Sequence, residues 1–215
     1  MRAALVLAGS TMAVGACAAM ASALMLRPPE LGGNRTAVLV ACWLFAGALV
    51  VMLPAFVLRH RLRGPDLPER ARAYSAAAHT VFATGCLIGL WAAVLRLDVA
   101  RHIQDRAAEW VSFAPVTAQL RAMTVLFGLG LILDAGFVRC TLRTHARTTA
   151  AAAIAGGLVL IVAPVTGIDI SRWVPFGLSF GLGLGLLARG VDPAPAGRGR
   201  FGAATECGSA PRSGA

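Results

Sequence analysis

Six long apolar runs, separated by short stretches that carry arginine, constrain this chain more than any single motif in it. They fall at about 3–26, 36–58, 75–95, 117–138, 148–168 and 173–189, each near the ~20 residues that a helix needs to cross the hydrocarbon of a bilayer. Inside a bilayer the backbone must satisfy its own hydrogen bonds, which leaves helices or a closed barrel. The runs are continuous and do not alternate with a period of two, so a barrel does not fit. The expected fold is therefore all-α, a polytopic transmembrane helix bundle of about six spanning helices over residues 1–189. Composition agrees, with 57% hydrophobic and 14% charged residues. Residues 190–215 are rich in Gly, Pro, Ala and Ser without apolar periodicity, and are expected to form a disordered cytoplasmic tail.

The twenty basic residues are all arginine. A chain without lysine has no amine for a Schiff base and none for a Walker A loop, so those cofactor and ATPase chemistries are excluded. The wealth of Ala, Arg and Gly fits a GC-rich bacterial genome. The net charge of +10 is spread through loops and tail with no single basic patch, which argues against nucleic acid and for topology signals and anionic lipid. With the N-terminus inside, thirteen arginines face the cytoplasm, among them Arg59, Arg61, Arg63, Arg70, Arg72, Arg139 and Arg143. The other seven, Arg27, Arg35, Arg96, Arg101, Arg106, Arg121 and Arg172, face outward. Cytoplasmic loops are the arginine-enriched ones. The expected setting is the inner (plasma) membrane of a cell, crossed several times, with both termini cytoplasmic.

Arg2, the apolar stretch behind it and Ala21-Ser22-Ala23 resemble a signal peptide, and Val14-Gly15-Ala16-Cys17 resembles a lipoprotein box. The run continues to Leu26, longer than the apolar region of a cleaved signal, so retention is expected. Cys17, Cys42, Cys86, Cys140 and Cys207 make no CxxC pair and no zinc spacing, and no metal, disulfide framework or cofactor is expected. Val99, Ile103, Ala107 and Trp110 recur at helical spacing in the longest loop, which predicts an amphipathic interfacial helix over 98–114 ended by Pro115.

Lipid is as apolar as the helices, so small residues that permit close backbone approach must supply much of the packing. Gly177, Gly181 and Gly185 share one face of the sixth run and are expected to receive a neighbouring helix or a second copy of the chain. Ionisable residues inside a bilayer are costly and mark the places to look for function. Asp134 and His79 lie about one turn inside their runs in the same leaflet and form a candidate acid–base or proton-relay pair. The alternative for Asp134 is a local salt bridge to Arg139. A second candidate group, for an anionic substrate or headgroup, is Arg96, Asp98 and Arg121 at the outer face.

HExxH, GxSxG and GxGxxG are absent, as are the aspartate clusters that hold magnesium in prenyl and phosphatidyl transferases. A small permease-like protein or an accessory subunit of a membrane assembly is the expectation, with a lipid- or isoprenoid-directed membrane enzyme as the alternative. The arginine count predicts the result of cysteine labelling in intact cells and inverted vesicles. Cys207 and an Asp66→Cys variant should react only from the cytoplasmic side, and Gln104→Cys only from the other. An Asp66→Cys label gained from outside would overturn the topology.

Overall fold

The computed structural model describes residues 2–25, 35–61, 67–102, 114–141, 146–166 and 174–191. Among these it is all-helical, with six helices: α1 (Arg2–Met25), α2 (Arg35–Arg61), α3 (Glu69–His102), α4 (Ala114–Thr141), α5 (Ala146–Thr166) and α6 (Val174–Val191). Four of them contain stretches long and apolar enough to cross a membrane: Ala3–Met25, Thr36–Arg61, Glu69–Asp98 and Val116–Cys140. The corresponding stretches of the last two, Ala150–Thr166 and Val174–Leu184, are shorter. The tail expected to be disordered lies almost wholly outside the described residues.

The helices outrun the apolar runs because alanine and arginine sustain a helix beyond the hydrocarbon boundary. α3 has 34 residues, about 50 Å of helix. Its first turn is closed by the Arg72 amide donating to the Pro68 carbonyl at 3.0 Å, and Glu69 places a negative charge where the helix dipole favours one. At its other end α3 carries on to His102, so residues 98–102 of the expected interfacial helix are continuous with the long third helix. The remainder of that expected helix, 103–113, is outside the described residues. Pro115 stands in the first turn of α4, where its missing N–H has no partner to lose.

Neighbours in sequence pack against each other from α1 to α5, and α6 returns to lie against α1 with a small contact to α4. The interior is aromatic. Phe56 of α2 stacks on Phe82 of α3 at 4.7 Å, and Phe127 of α4 meets both edge-on at 6.2 and 5.5 Å. Phe176 of α6 then joins Phe127 at 6.1 Å to Phe45 of α2 at 5.7 Å. Met12, Ala16 and Ala19 of α1, Leu49 and Met52 of α2 and Leu160 of α5 complete a continuous buried cluster. Pro54 sits inside α2 and Pro164 near the end of α5. The Ser22 hydroxyl donates to the Ala41 carbonyl at 2.7 Å and ties α1 to α2, the kind of interhelical bond that is worth about 1 kcal/mol in lipid.

Close backbone approach occurs at two glycine pairs. A Cβ on Gly128 of α4 would lie 2.6 Å from the Gly157 carbonyl oxygen of α5, and the reciprocal distance is also 2.6 Å. A Cβ on Gly9 of α1 would lie 2.8 Å from the Gly183 carbonyl oxygen of α6. The closest approach of α6 to α1 is thus made at Gly183, which lies outside the stripe of Gly177, Gly181 and Gly185. A Cβ on Gly181 would find nothing within 4 Å, and one on Gly177 would reach only Met20 Sδ at 4.0 Å. Gly183 is two residues off that stripe, about 200° around the helix. Spacing identifies a smooth face but not which way it turns. Gly157→Ala should therefore destabilise the bundle by about 1–3 kcal/mol as overpacking, read as a fall in detergent melting temperature. Gly181→Leu should leave that temperature unchanged, and the opposite ranking would refute this helix arrangement.

Candidate polar centre at the arginine-rich end

Three helices converge where α2 ends, α3 begins and α4 ends. Met52, Ala55, Phe56 and Arg59 recur at intervals of three and four along the buried face of α2, so the helix that carries the aromatic core inward also carries Arg59 inward. Ala71, Ser75, Ala78, His79 and Phe82 do the same on α3, and Phe127, Leu131, Asp134 and Ala135 on α4. α3 and α4 run antiparallel in a register that pairs Gly89 with Met123, Gly85 with Phe127, Phe82 with Gly130 and Tyr74 with Gly136. His79 and Asp134 fall between the last two of these pairs, which places them at one depth on adjacent helices.

The carboxylate of Asp134 is engaged from α2. Arg59 Nη2 donates to Asp134 Oδ2 at 2.6 Å, with both side chains less than one-tenth exposed. Arg59 Nη1 is buried without a hydrogen-bond acceptor among the described residues, so this bond is single and not the two-pronged guanidinium–carboxylate fork. Arg139, the sequence-based partner, is exposed on the surface of α4. His79 Nδ1 donates to the Ser75 carbonyl within α3, which assigns its proton to Nδ1 in the neutral ring. His60, next to Arg59 and half-buried, hydrogen-bonds through Nδ1 to Ser75 Oγ at 3.0 Å, and its ring centroid lies 5.1 Å from that of His79. Ser75 thus joins the two imidazoles, one through its hydroxyl and one through its carbonyl.

This arrangement holds opposite charges at the end of the apolar interior and joins two imidazoles through Ser75. Among the described residues no group of three His, Cys, Asp or Glu side chains is placed to hold a metal ion. The second candidate group divides. Arg96 is buried between α2 and α3, while Asp98 and Arg121 are exposed, so only Arg96 belongs to the interior. Arg59, His60 and Ser75 were not singled out by sequence. The signal that finds Arg59 is the apolar face of α2 continued by one turn, which brings position 59 inward. No family model, no curated protein and no solved structure matches the chain.

Removing one partner of a buried ion pair strands the other, a loss of about 3–5 kcal/mol, whereas replacing both with apolar groups is near neutral. Asp134→Asn and Arg59→Gln should each lower the melting temperature in detergent. Arg59→Met combined with Asp134→Leu should recover most of it, and a double variant as unstable as the worse single one would show that the pair is not a closed unit.

Proposed function

We propose that this chain is an integral membrane protein of six spans that serves as an accessory subunit of a larger membrane assembly. Four helices are long and apolar enough to cross a membrane, and the return of α6 onto α1 gives the two shorter ones positions in the same bundle. The arginine distribution supports a plasma-membrane setting with both termini in the cytoplasm. The observation that carries the subunit reading is the continuous aromatic interior from Phe45 through Phe176, Phe127 and Phe82 to Phe56. A centre filled by interlocked rings supports a scaffold over a solute path. Engagement of Asp134 by Arg59 likewise supports a structural role for the carboxylate over acid–base catalysis on a lipid or isoprenoid.

A second reading as a small proton-linked permease is favoured by the His60–Ser75–His79 bonding beside the Arg59–Asp134 pair, since buried ionisable chains in membranes mark proton relays. One pair of measurements separates the two. The subunit reading expects a reproducible partner in native-nanodisc purification of the tagged chain and no proton flux from the protein alone in liposomes. Proton uptake into those liposomes that His60→Ala and His79→Ala each abolish would establish the permease instead.

A further inference from the structure

From the same arginine-rich end, on the lipid-facing side of the α3–α4 seam, we infer a binding site for the phosphate of an anionic lipid headgroup, formed by Arg70, Tyr74 and Arg139. The inference rests on the membrane reading above. Tyr74 is 41% exposed, and its ring lies flat against α4 because Gly136 has no side chain, so that a Cβ there would stand 2.8 Å from both Cδ1 and Cε1. Its ring is held in the seam by this contact, and its hydroxyl is left at the level where tyrosine meets headgroups.

Charge converges on that hydroxyl. Arg70 precedes Tyr74 by four residues on α3 and so lies on the same face, one turn nearer the helix end. Arg139 follows Gly136 by three on α4. With Tyr74 set opposite Gly136 in an antiparallel pair, position 70 comes opposite position 140, and the two arginines stand on either side of the seam at one level. Both are exposed. Two guanidinium groups and a phenol beyond a shared apolar surface match a phosphodiester with acyl chains running along the helices. The matching occupant is a membrane lipid, since the apolar part of the seam has nothing to offer free phosphate. Arg72 supplies an internal control, for it is exposed two residues from Arg70 and points about 160° away from it around α3.

The test is native mass spectrometry of the full chain released from nanodiscs of mixed phosphatidylglycerol and phosphatidylcholine. The wild type should retain phosphatidylglycerol preferentially. Each arginine near a surface contributes about a fivefold bias toward anionic lipid, so Arg70→Gln with Arg139→Gln should bring retention to parity while Arg72→Gln keeps it. Tyr74→Phe should lower retention with an unchanged melting temperature, which reads the site even if the double variant does not fold. Millimolar inorganic phosphate should not displace the lipid, and displacement would assign the site to a soluble anion. Equal loss in Arg72→Gln, or wild-type nanodiscs with no lipid preference, would overturn the site alone. A wild-type chain that did not enter nanodiscs at all would count against the membrane reading itself.

Discussion

Buried together, Arg59 and Asp134 each answer the other's charge, and the geometry of the arginine-rich end follows from bringing them together. They belong to α2 and α4, helices with no packed seam of their own, and α3 touches both. The long side chain of Arg59 bridges what the backbones do not. Further in, one turn along α2 and two along α4, Phe56 and Phe127 of the same two helices meet edge-on around Phe82 of α3. The charge pair and the ring cluster therefore set the same two helix orientations, and a rotation that broke one would break the other.

The remainder of the bundle is held by contacts of another kind. Burial from lipid gives little drive for association, so shape must do what water does for a soluble core. At Gly128–Gly157 and Gly9–Gly183 the backbones come close enough that one methyl group would not fit, while the rings of Phe127 and Phe82 lie directly against Gly85 and Gly130. Small residues at the seams and aromatic residues at the centre are two halves of one packing solution.

Much of this was legible in the residues. The apolar runs locate all six helices to within a few residues, except for α3, whose polar extensions at Glu69–Arg72 and Arg96–His102 carry no hydropathy signal. Asp134 and His79 were visible because a charge in an apolar run stands out, and their common depth follows from helix lengths alone. What was not legible is rotation about each helix axis. An arginine just past an apolar run reads as a topology signal until the buried face of α2 is known to reach it, and three glycines at intervals of four read as a seam until α6 is known to turn Gly183 inward. Hydropathy reports depth, and the pairing of faces depends on residues far away in the chain.

Arg59 and Asp134 are separated by 75 positions, and that separation is also a separation in time. Chains emerge from the ribosome at ~5–20 residues per second, so α2 is delivered to the membrane several seconds before α4. Until then the guanidinium has no carboxylate to meet. Its position only two residues before the end of α2 resolves the difficulty, because a long side chain there can reach the headgroup layer while it waits. Asp134 arrives seven residues before the end of α4, deeper and on a shorter side chain, but by then the cation it requires is already at the boundary. The order in which the two charges occur along the chain is the order in which each can be borne.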